Sequence, residues 1–459
     1  MTHADAQIGR FVEYLREIDV LDNTLLLVLS DNGASAEGGP TGNLIEMRGW
    51  ANLPQDRDEA RVRLDEIGGH TTFNHYPWGW AWAGNSPMRL WKRYAWLGGV
   101  RTPLIVHWPR GVHTAGGAVR HQFCHAVDMA PTIMDAIGVE PPVSVDGITQ
   151  QRIDGASLVA TFDDGEAPSP RATQYFEMHG SRSIYHNGWK ATTNFVSPLF
   201  GERESIEGSH DIDDDHWALF DLENDFSEAH DLSADHPERV RELQELWWFE
   251  AGRNQVLPLN DDPSSRLFIH PGPYPAPARA VYRPGGDAIS ESQIPAIVGG
   301  FRAVADVEVP SGGRAEGVIC AIGDLNEGWS FYLLDGHAVA VFSVFGHVVR
   351  VATPSPVGAG PHVVEVSYRP GEGFGGPLTV SVDGEVAATA ALPMPPFFAG
   401  LSTAGVGMLV GRDHGLPFCD DYEPPFPFTA TLRQLTIETL APPTAPDART
   451  DLTTALRSD

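Results

Sequence analysis

The sequence predicts an α/β region followed by an all-β sandwich, and three observations carry that prediction. Residues 1 to about 255 alternate helix-spaced apolar faces with short continuous apolar runs. From Phe301 onward the pattern changes to short β-type runs separated by turns. Asp-Gly pairs then stand between neighbouring runs, in Leu334-Asp335-Gly336-His337 and Val382-Asp383-Gly384-Glu385, a strong short-range hairpin signal.

In chain order, Ile8, Phe11, Val12, Leu15 and Ile18 recur at helical spacing and predict an amphipathic helix near the start. Asp22-Asn23-Thr24 supplies a turn. The runs Leu25–Leu29 and Pro103–Trp108 are apolar on both faces, as expected of central strands of a parallel sheet. Helices are expected at Met129–Ile137, capped by Asp128, and at Pro237–Glu250, with Pro in the first turn and Val240, Leu243, Leu246 and Trp247 on one face. Residues 256–299 are rich in Pro, Gly and Asp and suit a linker or wrapping arm. Strands are then expected at Ala303–Val309, Gly317–Ile322, Trp329–Leu334, Ala338–Phe345, His362–Tyr368, Leu378–Val382 and Thr429–Ile437. These place a jelly-roll or concanavalin-like sandwich over residues 300–440. The Pro/Thr/Ala/Asp-rich tail, 441–459, is expected to be disordered.

Composition excludes several classes. With 31 basic against 61 acidic side chains and a net charge of −30, the chain lacks the basic face that phosphate attraction needs. Nucleic-acid and anionic-membrane partners are therefore not expected. Cys124, Cys320 and Cys419 are far apart, so neither a disulfide framework nor a thiolate zinc site is expected. No stretch approaches the ~20 apolar residues of a membrane span, and the N-terminal residues are polar. A cytoplasmic location is the resulting expectation.

Ser30-Asp31-Asn32-Gly33 follows an apolar strand, where open α/β sheets bind ligands. Asp31 and Asn32 offer hard oxygens suited to Ca²⁺ or Mg²⁺, although spacing alone favours an Asx turn. Lys92, just before the second strand, could serve an anionic substrate as a point charge, or be a solvated surface lysine. Asp211–Asp215 imitates an EF-hand start, but His216 and Leu222 occupy the positions that need Gly and Glu, so a solvated acidic loop is expected. Cys124-His125 reads as a buried thiol beside a satisfied imidazole. The aromatic stretch from Tyr76 to Trp82 could line a pocket or fill a core, and His75, Trp78 and Trp80 are the pocket candidates.

Taken in order, several segments resemble the sulfatases of the alkaline-phosphatase superfamily, most closely large bacterial arylsulfatases with an extra C-terminal β domain. They are His3–Arg10, Asp22–Thr24, Ser30–Ser35, Glu37–Gly39, Trp78–Asn85, Lys92 with Gly98–Pro103, His125–Thr132 and Leu219–Leu222 with Asp225, Glu228 and Asp231-Leu232. Gly411–Asp413 and Asp420–Tyr422 are similar to that subfamily's β domain.

The resemblance implies an alkaline-phosphatase-like mixed sheet with flanking helices and sulfuric ester hydrolysis, the substrate being a small-molecule or glycan sulfate ester. It implies a formylglycine nucleophile made from Cys or Ser in Cys/Ser-x-Pro-x-Arg. It places the family's Ca²⁺ ligands on Asp31 and Asn32 and a sulfate-binding lysine on Lys92. No cysteine or serine in these 459 residues begins that nucleophile motif. The family's nucleophile, N-terminal aspartate pair and first histidine are expected upstream of Met1. The chain is thus expected to be the C-terminal portion of such an enzyme, holding part of the metal site and inactive as written. Alternatives are a phosphoester or phosphonate hydrolase of the same superfamily, and a non-catalytic carbohydrate-binding protein.

Overall fold

The computed structural model describes residues 2–261 and 277–440, apart from 47, 49–54, 70, 115, 199–200, 313, 325–326, 345, 372–374, 394–395, 397–406 and 416–418. The tail expected to be disordered, 441–459, and part of the 256–299 segment lie outside the described residues.

The first helix runs Thr2–Glu17. Only Leu15 of its apolar face is buried, whereas Ile8, Phe11 and Ile18 are exposed. Strand β1, Leu26–Leu29, pairs with β2, Leu104–His107, and the pairing is antiparallel, Leu26 lying opposite His107. This corrects the expectation of central parallel strands. β2 alternates half-buried Leu104 and Val106 with exposed Ile105 and His107, so one face is covered. An apolar run specifies neither ladder direction nor a second covered face.

A short hairpin follows, β3 (Ser144–Val145) with β4 (Ile148–Thr149). Then β5 (Thr173–Met178), β6 (Ser181–His186), β7 (Trp189–Thr193) and β8 (Trp217–Asp221) form a four-stranded antiparallel meander. Helix Pro237–Arg253 lies on one face, packing Leu243, Trp247 and Ala251 against Ile184, Ala191, Trp217 and Leu219. From the other face, Ala218 and Phe220 meet Trp91, Tyr94 and Trp96. β8 is therefore buried on both faces, as its unbroken apolar spelling suggests.

Helix Met129–Ala136 forms near its expected place, but the Asp128 side chain does not cap it. The carboxylate is buried and takes up Arg171 at 2.5 Å, with backbone N–H donors from His125 and Ala156. The acidic loop also differs from expectation at one residue. Asp215 is withdrawn from solvent and paired with Arg182 at 2.5 Å, because a buried guanidinium requires a counter-charge.

The C-terminal strands are β9 (Arg279–Tyr282), β10 (Phe301–Val309), β11 (Gly317–Gly323), β12 (Gly328–Leu334), β13 (His337–Val344) and β14 (His347–Ala352). They continue with β15 (Gly360–Tyr368), β16 (Gly376–Val382), β17 (Glu385–Leu392), β18 (Leu409–Val410) and β19 (Thr431–Thr439). Two antiparallel sheets result, ordered β17-β16-β15-β10-β19-β9 and β14-β13-β12-β11-β18. Both contribute to one buried cluster, exemplified by Phe301, Ala303, Ala305 and Val307 of β10 with Phe331, Ala340 and Phe342. Both Asp-Gly hairpins form: Asp335 and Gly336 have φ of 51° and 81°, Asp383 and Gly384 of 52° and 83°, the left-handed pair a type I′ turn needs. Within the expected linker, β9 pairs with β19 and Ile294 and Ile297 enter the core, so this segment is structured where described. Among the described residues, no helix is long and apolar enough to cross a membrane.

Candidate functional site

The site is built around the segment after β1, which three backbone-directed contacts fix in place. Gly33 N–H donates to Gly99 O at 2.9 Å, Asn85 Oδ1 accepts from Ala34 N–H at 2.9 Å, and Lys92 N–H donates to Ala34 O at 3.0 Å. Gly33 is glycine for a steric reason, since a Cβ there would lie 1.7 Å from Gly98 O. The turn beyond it runs against the chain at Tyr76, where a Cβ on Gly38 would lie 2.2 Å from the Tyr76 carbonyl oxygen.

This crossing buries Glu37 completely. The Lys92 ammonium lies 3.0 Å from Glu37 Oε1, and His75 Nε2 lies 3.7 Å from Oε2. The Arg93 Nε is 3.8 Å from the same Oε1. Trp78 donates its indole N–H to Ala36 O at 3.1 Å and stacks on Trp91 with ring centroids 5.5 Å apart. Partial burial raises the Tyr76 phenol above its usual range, with the Glu37 charge adding to the rise while the Ser35 backbone and Lys92 oppose it.

The Lys92 side chain is held from behind. Its neighbour Arg93, at φ 82°, turns inward and binds the buried Glu202 carboxylate through Nη2 at 2.5 Å and Nη1 at 3.2 Å. Glu202 also accepts from Trp91 Nε1 at 3.1 Å and Tyr94 Oη at 2.7 Å. Burial, reinforced by this carboxylate, raises the Tyr94 phenol. Further along, Leu97 N–H donates to Glu228 Oε2 at 2.8 Å, and Glu228 pairs with the buried Lys190, whose amine burial lowers despite that partner.

Of the residues singled out from sequence, His75, Trp78 and Lys92 converge on Ala36-Glu37. Trp80 is 69% exposed and points to solvent. Asp31 is exposed at the end of β1; Asn32 is half-buried and donates Nδ2 to Gly33 O at 2.9 Å, so local turn bonding accounts for part of this pair. The residues that sequence reasoning missed are Glu37, Glu46, Arg93 and Glu202. Glu37 did carry a signal, as the single charge in the small-residue run from Ala34 to Gly39.

Two family models match this half of the chain. Residues 1–139 match the sulfatase model, and residues 89–247 match the model of the N-sulphoglucosamine sulphohydrolase C-terminal region. Residues 1–247 belong to the sulfatase family. An uncharacterized sulfatase of Schizosaccharomyces pombe is 28% identical over 56% of this chain and 43% of its own length. The N-acetylglucosamine-6-O-sulfatase of Bacteroides thetaiotaomicron is 24% identical over 53% of this chain and 32% of its own. The solved PsFucS1 sulfatase from Pseudoalteromonas sp. is 19% identical, covering 55% of this chain and 42% of that chain, with a TM-score of 0.34. The chain thus spans less than half the length of these relatives. Within the sulfatase region, Glu37, Glu46 and His75 bring one ligand-capable atom each within 4.8 Å of one another; among the described residues Asp31 belongs to no such group of three.

Proposed function

We propose that residues 1–255 form the C-terminal part of an arylsulfatase-type hydrolase domain acting on a small-molecule or glycan sulfate ester. Residues 300–440 are, on the same reading, an appended jelly-roll or concanavalin-like sandwich. The observation that carries the reading is the sulfatase-family match across the segment that presents Lys92. Its side chain is about one-third exposed and its ammonium is anchored by Glu37, a fixed point charge for an anion. The exposed indole of Trp80 offers a stacking face to an aryl or sugar ring.

For the Ca²⁺ the family implies, Asp31 and the Oδ1 of Asn32 are donors of the right chemistry. They supply two or three of the six to eight oxygens that Ca²⁺ takes, so they fit as part of a site. When bound, the ion would neutralise sulfate oxygens. The nucleophile is a separate matter. Without a Cys/Ser-x-Pro-x-Arg motif in its 459 residues, this chain by itself should not turn over a sulfate ester, because orientation and charge do not replace a covalent route.

The test is hydrolysis of a chromogenic aryl sulfate by the purified chain, alongside calorimetric titration of Ca²⁺. Background turnover and weak Ca²⁺ binding that disappears in Asp31→Ala are expected. Turnover abolished by Lys92→Ala would refute the missing nucleophile, and Ca²⁺ binding indifferent to Asp31→Ala would refute the metal assignment.

A further inference from the structure

We propose that Glu37, Glu46 and His75 form a second cation site, selective for a borderline divalent metal such as Zn²⁺ and separate from the Asp31/Asn32 oxygens. Three elements supply the ligands, and backbone pairing holds them together. Asn43 and His75 exchange both N–H···O bonds at 3.0 Å, Phe73 N–H donates to Leu44 O at 3.0 Å, and Glu46 N–H donates to Phe73 O at 2.9 Å. The Asn43 side-chain amide reaches the Glu37 carbonyl at 3.4 Å, tying the third element to the other two. The turn of the C-terminal sheets at Gly346 closes over the neighbouring Ile45, where a Cβ would approach Ile45 to 2.9 Å.

Two further observations point to an ion. Glu37 is wholly buried and its Oε2 accepts no hydrogen bond, an arrangement that is costly for a carboxylate unless a cation faces that oxygen. Lys92 compensates at Oε1; Oε2 faces His75. The His75 Nδ1 lies 3.3 Å from the Tyr76 carbonyl oxygen, which can only accept, so Nδ1 donates there and Nε2 is the ring nitrogen presented to Glu37 and to an ion. A ligating imidazole fixed through its other nitrogen is the usual outer arrangement of a zinc histidine.

The spacing agrees. With metal–ligand bonds of about 2.0–2.2 Å, two ligands of a tetrahedral ion lie ~3.4 Å apart. The observed 3.7 Å between His75 Nε2 and Glu37 Oε2 needs only a small closure. A mixed imidazole–carboxylate set suits Zn²⁺ or Co²⁺ rather than Ca²⁺, which takes oxygens. In this arrangement Glu37 bridges the ion and the Lys92 ammonium, and Lys92 orients the carboxylate.

The experiment titrates Co²⁺, and then competing Zn²⁺, into the chelator-treated chain, reading visible absorbance and heat. One saturable equivalent with a d–d band is expected, displaced by Zn²⁺. His75→Ala and Glu46→Gln should each weaken it by about 10–100-fold, while Asp31→Ala leaves it unchanged. Because Glu37 is buried and its variant could misfold, these two more accessible ligands carry the test, with circular dichroism as the folding control. Absence of a saturable site up to millimolar Co²⁺, or affinity unchanged in His75→Ala, overturns the proposal. So does equal weakening by Asp31→Ala, which would mean that the ion sits at the oxygen site instead.

Discussion

The Glu202 carboxylate is the anchor that turns Arg93 inward and leaves Lys92 facing Glu37, and its removal has a predictable cost. It accepts four hydrogen bonds, from Trp91 Nε1, Arg93 Nη1 and Nη2, and Tyr94 Oη, at 3.1, 3.2, 2.5 and 2.7 Å. Four charge-assisted bonds taken at about 1.5–3 kcal/mol each would sum to roughly the whole stability of a typical domain, and bonds sharing one carboxylate do not add in that way. The governing quantity is the buried Arg93 guanidinium left without its close carboxylate partner, which costs about 3–5 kcal/mol. Glu202→Leu is therefore expected to lose that amount, as is Arg93→Met, which strands the carboxylate. The double variant removes both charges and should lose far less than the sum, giving a coupling energy of about 2 kcal/mol or more. The assay is urea denaturation followed by tryptophan fluorescence, since Trp91 and Trp96 are buried in this loop. A Glu202→Leu cost below about 1 kcal/mol, or single costs that simply add, would refute the anchoring role.

Two predictions probe other parts of the fold. Gly384→Ala places a Cβ in open space at φ 83° and should cost about 1 kcal/mol of left-handed strain, whereas Gly336→Ala adds an approach of 3.0 Å to Pro356 and should cost more; thermal melts that reverse this order would count against the turn geometry. At Asp128, burial would raise the carboxyl, but the Arg171 guanidinium and the N–H groups of Ala156 and His125 overcome it and hold the carboxyl below its usual range. That contribution is present above the unfolded carboxylate pKa of about 3.9 and is lost as pH falls through the lower folded value. Asp128→Asn should thus cost about 3 kcal/mol at neutral pH and flatten the stability loss below pH ~4, a result checked by urea midpoints across pH.

The C-terminal half was legible because its strands have neighbours on both sides. β10, β11, β12, β13, β15, β16 and β19 were all anticipated to within a few residues, and each lies inside a sheet. The strands that escaped there, β9, β14, β17 and β18, are the four sheet edges. An edge strand has one ladder partner and a large exposed share; β14 and β17 are mostly exposed or half-buried. Little apolar alternation is needed there, so the period-two signal fades. The meander β5–β7 was missed for a different reason. Ser183, Lys190 and Thr192 spell a polar surface, yet all three are buried, and Ser183 and Lys190 are satisfied by Ala95 O and Glu228.

Site residues divide along the same physical line. Lys92 by itself reads equally well as a solvated surface lysine and is nominated through the resemblance to sulfatases, whereas the aromatic run from Tyr76 to Trp82 could be nominated by composition. Glu37 and Glu202 acquire meaning only through partners that the fold supplies. Lys92 and Glu37 are 55 positions apart in the chain, and Arg93 and Glu202 are 109 apart. Nothing local distinguishes a carboxylate that will be buried beside a cation from one that will be solvated, as the acidic loop illustrates: Asp215 is withdrawn from solvent while Asp213 and Asp214 stay exposed. What separates them is the position of Arg182, set by the β6–β7 register that pairs Ser183 with Thr192. A sequence therefore reveals which groups can do chemistry; tertiary pairing decides which of them lose their water and must find a counter-charge. At this site that selection places Lys92, and not the adjacent Arg93, within reach of solvent.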